Sequence, residues 1–179
     1  MHSAMRQNIK KPIVLIGMMG SGKSTIGKRL AYKLNLQFYD SDKIIEEREG
    51  LSIVDIYDFR GEEYFKNKEA EVIKEILGYG SVIISTGGES FLNEDIRKQI
   101  LDNATSIWLK TNVDTLHERV SRRNTRPQFA GNTNLATIEK MVADTYPIYE
   151  KADITIESKD MEAHFVVDTI LSKLRNYNQ

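Results

Sequence analysis

PIVLIGMMGSGKST, residues 12–25, is the stretch that decides the fold. Ile13, Val14, Leu15 and Ile16 form a short apolar run that breaks at Gly17, and Ile26, Leu30 and Leu34 then recur at helical spacing. The segment reads as strand, loop, helix. Gly17, Gly22, Lys23 and Ser24 satisfy G-x-x-x-x-G-K-[ST], in which an unobstructed loop turns successive backbone N–H groups inward as an anion nest. The helix N-terminus adds unpaired donors and the positive end of its dipole. Gly20, Ser21, Gly22, Lys23, Ser24 and Thr25 are therefore the expected nucleotide contacts. Lys23 would reach the outer phosphates as a point charge, and the Ser24 hydroxyl would ligate Mg²⁺. An ordinary glycine-rich turn is the alternative, but four specified positions match by chance in about one chain in a hundred or fewer. The flanking strand and helix are the context that confirms the motif.

The composition limits what such a loop can serve. At 179 residues the chain is expected to form a single domain, 1–179, with a substantial core around one sheet. Twenty-five Lys and Arg against 26 Asp and Glu leave a formal charge of -1 with no basic block, which argues against nucleic acid as a partner. The absence of cysteine excludes disulfides, thiolate chemistry and Cys-ligated zinc, and fits a cytoplasmic setting. His2, His117 and His164 are scattered and imply no metal triad. The opening MHSAMRQNIKK is polar and basic, and only a short apolar run follows it, so neither a signal peptide nor a membrane span is expected. Residues 1–10 read as a loose tail.

Downstream, helical and strand-like segments alternate. A helix over 24–34 precedes a short strand, 37–39, that ends at Asp40-Ser41-Asp42. Carboxylates at a strand's C-terminal end sit on the ligand edge of an α/β sheet, so Asp40 could orient Mg²⁺ and Asp42 could accept a substrate hydroxyl proton. Either could instead cap the helix expected over 43–49. Ser52-Ile-Val-Asp55 reads as a capping signal, and a longer helix over 62–77 carries charges read as a solvated face. The strand at 81–85 runs into Thr86-Gly87-Gly88-Glu89, where paired glycines permit close approach of a ligand or form a plain tight turn. A helix over 93–101, a strand over 106–110 and a helix over 113–120 follow, with Trp108 read as core. Residues 121–134 form a long loop read as a lid, with Arg122, Arg123 and Arg126 available to close over a transferring phosphate or to remain solvated. A helix over 136–149 is disturbed at Pro147, a last strand spans 153–157, and a terminal helix spans 161–174 with Phe165, Val166, Ile170 and Leu174 on one face. Five strands alternating with helices imply a three-layer α/β/α arrangement around a parallel sheet, with its ligands at the strands' carboxyl ends.

In their order and spacing, these pieces resemble the shikimate kinases from Ile13 to about Leu174. The matching segments are GMMGSGKSTIGKRLA (17–31), FYDSDKIIE (38–46), GLSIVDIYDFRGEEYFKNKE (50–69), STGGE (85–89), Arg126-Pro127 and YPIYEKAD (146–153). The resemblance implies a P-loop NTPase fold of the nucleoside-monophosphate-kinase-like type, acting on the 3-hydroxyl of shikimate with ATP and Mg²⁺. It also implies roles: Lys23 on the transferring phosphate, Ser24 and Asp40 on Mg²⁺, Asp42 on the reacting hydroxyl, Gly87 and Gly88 at the substrate, and Arg126 on ATP. The family grips the substrate carboxylate with two arginines, and this chain has Lys66 and Thr145 at those places, with Glu89 where the family has a third glycine. An arginine fork gives paired charge-assisted bonds of about 1.5–3 kcal/mol each that lysine or threonine cannot reproduce.

Three functions follow for testing. The first is phosphorylation of shikimate by a monomeric cytoplasmic enzyme acting on a small molecule. The second keeps the chemistry and changes the acceptor to another hydroxylated compound, because Glu89 and Thr145 disfavour a carboxylate. The third is a nucleotide-binding protein that transfers nothing, since fold does not imply function.

Overall fold

The computed structural model describes residues 9–122, 134–158 and 161–177. The central strand is β1 (Ile13–Ile16), every residue of which is buried. Around it the described chain runs α1 (Lys23–Leu34), β2 (Gln37–Asp40), α2 (Ser41–Glu49), α3 (Ile53–Arg60), α4 (Glu62–Leu77), β3 (Val82–Ser85), a 3₁₀ turn (Ser90–Leu92), α5 (Glu94–Asn103), β4 (Thr105–Lys110), α6 (Val113–Ser121), α7 (Leu135–Tyr149), β5 (Ile154–Glu157) and α8 (Ala163–Tyr177).

The five strands form one sheet in the order β2-β3-β1-β4-β5, with every neighbouring pair parallel. Successive side chains on a strand point to opposite faces, so the β1 residues divide between two cores. Val14 and Ile16 join Ile84 and Trp108 beneath the face covered by α2 to α7. Ile13 and Leu15 join Ile83, Ile107 and Leu109 beneath α1 and α8. The sheet is thus buried on both faces, which is why its strands read as continuous apolar runs. The connection leaving β1 passes towards β2, and the one leaving β3 returns past β1 to β4. Between β1 and β3 the topology therefore switches direction, and the crevice at their carboxyl ends is where ligands collect in such sheets.

Several expectations from sequence change. Ile9 is buried among the α1 and α8 side chains and its carbonyl accepts a 2.5 Å hydrogen bond from Ser81, so the tail expected over 1–10 is anchored by residue 9; residues 1–8 lie outside the described chain. Helix α2 begins at Ser41 rather than 43, because Asp40 serves as its N-cap. Helix α7 continues through Pro147 to Tyr149: the proline stands in the last turn, where it removes only one donor. On α8, Phe165 is exposed, and Val167 and Leu171 complete the buried stripe in its place. The helix ends at 177, three residues beyond the expected 174. No described helix is long and apolar enough to cross a membrane.

Candidate functional site

The phosphate loop leaves β1 with Gly17, Gly20 and Gly22 all at positive φ, which other residues rarely adopt. Side chains would also obstruct it: a β-carbon at Gly17 would lie 2.9 Å from the Leu109 carbonyl oxygen, and one at Gly20 would lie 3.3 Å from Val120 Cγ2. The Ser21 amide donates to the Met18 carbonyl at 3.1 Å, closing the turn, and Ser21 itself is buried. Lys23, the first residue of α1, is also buried and folds back so that Nζ donates to the carbonyls of Gly17 (2.7 Å) and Met18 (2.9 Å). Its ammonium spans the loop. Gly22 precedes the helix without capping it through a side chain, so the first amides of α1 face the loop. Ser24 and Thr25 follow on its exposed side.

The Ser24 hydroxyl donates to Asp40 Oδ2 at 2.6 Å and lies 3.4 Å from Ser85 Oγ. The other Asp40 oxygen accepts from the Lys43 amide at 3.4 Å. Asp40 thus caps α2 and holds the Ser24 hydroxyl beside the loop. This set of hard oxygen donors beside the loop fits Mg²⁺, which takes few protein ligands and keeps the rest for water and phosphate. Among the described residues no group of three or more His, Cys, Asp or Glu could hold a metal by itself.

Across the crevice, the loop after β3 comes against the phosphate loop. A β-carbon at Gly88 would lie 3.0 Å from the Met19 backbone nitrogen. One at Gly87 would lie 3.0 Å from Asp42 Oδ1 and 2.6 Å from Glu69 Oε1. Asp42 and Glu69 therefore converge on Gly87, next to Gly88. The backbone of this loop is pinned from behind, where the Tyr149 hydroxyl donates to the Gly88 carbonyl and Ser90 Oγ contacts the Gly87 carbonyl at 3.1 Å and Glu69 Oε1 at 2.5 Å.

Glu69 was not distinguishable among the charges of α4, yet it is buried. Burial pushes its carboxyl up to about 7; the Glu89 charge adds to the rise, while the Ser90 hydrogen bond and Lys66 oppose it. The sequence did hold a signal, because Glu69 falls on the stripe Phe65, Val72, Ile73 and Ile76 that α4 buries. A charged residue on an apolar stripe is the informative exception. Arg119 is the second residue missed. From α6 its Nη1 donates to the Gly20 carbonyl at 3.1 Å, placing a cation against the loop's outer side.

The remaining predicted residues are less uniform. Lys66 is exposed and its ammonium lies 2.5 Å from Glu62, whose hydrogen bond is the main reason its pKa is raised. Thr145 is buried one turn before Tyr149, and its hydroxyl donates back to the Met141 carbonyl at 2.7 Å. Tyr57, half-buried against Phe65, has its phenol pushed up to about 12 by burial and then by Glu89. Of the lid expected over 121–134, Ser121 ends α6, Arg122 is ion-paired with Glu118, and Asn134 caps α7. Arg123 and Arg126 lie outside the described residues.

The chain is similar to known proteins over most of its length. Residues 19–175 match the family described as Shikimate kinase. A shikimate kinase of Rhodopseudomonas palustris is 41% identical over 167 residues, covering 93% of this chain and 82% of that protein. Among solved structures, shikimate kinase from Acinetobacter baumannii in complex with shikimate superposes with a TM-score of 0.90 at 28% identity, covering 94% of this chain and 95% of that one. Shikimate kinase from Aquifex aeolicus superposes with a TM-score of 0.79 at 35% identity, covering 92% and 96%.

Proposed function

The chain belongs to the shikimate kinase family, and from that membership we infer that it transfers the γ-phosphoryl group of ATP to the 3-hydroxyl of shikimate. The observation that supports the reading is the approach of Gly88 to Met19, which brings the loop after β3, the proposed acceptor side, close to the phosphate loop. Donor and acceptor can then meet without bulk water between them, and much of the barrier to phosphoryl transfer is removed by positioning.

In this reading the bond from the γ-phosphorus to the β,γ-bridging oxygen breaks while a bond to the acceptor oxygen forms. The acceptor's hydroxyl proton passes to Asp42, and ADP leaves. Lys23, whose ammonium bonds the carbonyls of Gly17 and Met18, would follow the charge that builds on the transferring group, and Arg126 would join it. Ser24 and Asp40 would hold Mg²⁺, which when bound neutralises charge on the outer phosphates. Gly87 and Gly88 would bring backbone rather than side chain to the acceptor, and Lys66 and Thr145 are assigned to it by the family resemblance alone. A cytoplasmic setting accompanies ATP as co-substrate.

The test is ADP release from MgATP with and without shikimate up to millimolar concentration. Saturable, shikimate-dependent release is the expected result. Confirmed ATP binding without such release would overturn the assignment of acceptor.

A further inference from the structure

Tyr149, the last residue of α7, is only 1% exposed. A phenol buried so fully needs a partner for its hydroxyl, and it finds one by donating to the Gly88 carbonyl, 61 residues earlier in the chain. Burial pushes the phenol up from its ordinary value, so it remains a donor at neutral pH. The ring is set between the two halves of the site. It meets Phe91 of the 3₁₀ turn with centroids 6.4 Å apart, and Trp108 of β4 with centroids 5.9 Å apart. Trp108 in turn packs against the start of the phosphate loop, since a β-carbon at Gly17 would lie 3.5 Å from its Cδ1.

Gly87 and Gly88 have no side chains to restrain their own backbone, and an unheld pair of glycines samples many conformations. Two donors supply the restraint. The Ser90 amide donates to the Gly87 carbonyl at 3.4 Å, a local turn bond, whereas the Gly88 carbonyl is held from another element altogether. Gly88 is also where this loop approaches the phosphate loop, at the Met19 nitrogen. Resting on the kinase reading above, we propose that Tyr149 is a positioning residue for the acceptor, holding the Gly88 carbonyl so that the loop after β3 is ordered before shikimate arrives. Without this hydroxyl the carbonyl loses its donor, and the cost of ordering the two glycines falls on acceptor binding. Tyr149 touches neither reactant in this reading, and acts through Gly88.

The experiment measures shikimate-dependent ADP release by Tyr149→Phe, with Tyr146→Phe as the matched control. Phe keeps the ring contacts with Phe91 and Trp108, so the first variant should keep the fold. The control removes the same group from the same helix, because the Tyr146 hydroxyl donates to the Thr111 carbonyl, just past β4. Both variants should lower Tm, since each leaves a backbone carbonyl without its donor. Only Tyr149→Phe should raise KM for shikimate, by about tenfold, with KM for ATP and kcat changed by about twofold at most. Amide exchange over residues 86–92, read by mass spectrometry, should quicken in Tyr149→Phe and not in Tyr146→Phe. A KM for shikimate raised no more by Tyr149→Phe than by Tyr146→Phe, or unchanged exchange over 86–92, would overturn this inference and leave the kinase reading standing. No shikimate-dependent release from the unaltered protein, while ATP still binds, would overturn the kinase reading and this inference with it.

Discussion

The Lys23 ammonium ties the two carbonyls at the start of the phosphate loop, and in the proposed reaction it would meet the charge that develops on the transferred group. Lys23→Ala should therefore abolish turnover rather than raise KM alone, because the charge it meets is greatest in the transition state. Retention of more than a few per cent of the wild-type kcat would remove it from that role. Asp42→Asn keeps the side chain's shape against Gly87 and removes the group proposed to accept the proton. ATP affinity, measured by calorimetry, should change little while kcat falls by about a hundredfold or more. Unchanged turnover would mean that another group receives the proton. The place of Asp42 beside Gly87 was legible in sequence because it follows a strand end in a recognisable order. Glu69 was not, because its α4 neighbours are mostly solvated charges and only its place on the apolar stripe distinguishes it. Arg119 left no comparable signal: its contact is with the Gly20 carbonyl, 99 residues away, and no local spacing encodes that.

At the scale of the element, local chemistry was the most readable. Ser52 accepts from the Asp55 amide at 3.1 Å while donating to the Asp55 carboxylate at 2.6 Å, as its spacing implied. Asn93, Asn112 and Asn134 each cap the helix that follows. Helix ends were less readable where tertiary contacts decide them. Helix α7 keeps its course past Pro147 because Tyr146 and Tyr149 donate to the Thr111 and Gly88 carbonyls. Gly27 shows how packing overrides propensity. Replacing a mid-helix glycine by alanine ordinarily gains about 1 kcal/mol, but a β-carbon at Gly27 would run into the Phe38 ring and approach Leu15 Cδ1 at 3.3 Å. Overpacking of that kind costs about 1–3 kcal/mol and should outweigh the gain. Gly27→Ala is expected to lower Tm by several degrees in thermal unfolding followed by circular dichroism. A raised Tm would show that Phe38 moves aside without cost.

For the whole molecule, a parallel sheet with five strands could be read from alternation, whereas the order β2-β3-β1-β4-β5 could not. That order depends on which apolar strands pair across long separations, and it is the order that brings the loops after β1 and β3 together. The same assembly buries Glu69, and its cost is global. Glu69 has a carboxyl pushed up to about 7 by burial beneath Gly87, with Glu89, Ser90 and Lys66 as its charged and polar neighbours. In the unfolded chain an ordinary glutamate titrates near 4.3. Between these two values the folded protein binds the proton more tightly than the unfolded one, so stability falls as pH rises through that window. The loss at its full extent is on the order of 3 kcal/mol, and it is complete only above the folded-state value. Glu69→Gln cannot ionise, so its Tm should decline less between pH 5 and about 8 than that of the unaltered protein. Parallel Tm profiles for the two proteins would show that the buried carboxyl is not the group whose ionisation opposes folding in that range.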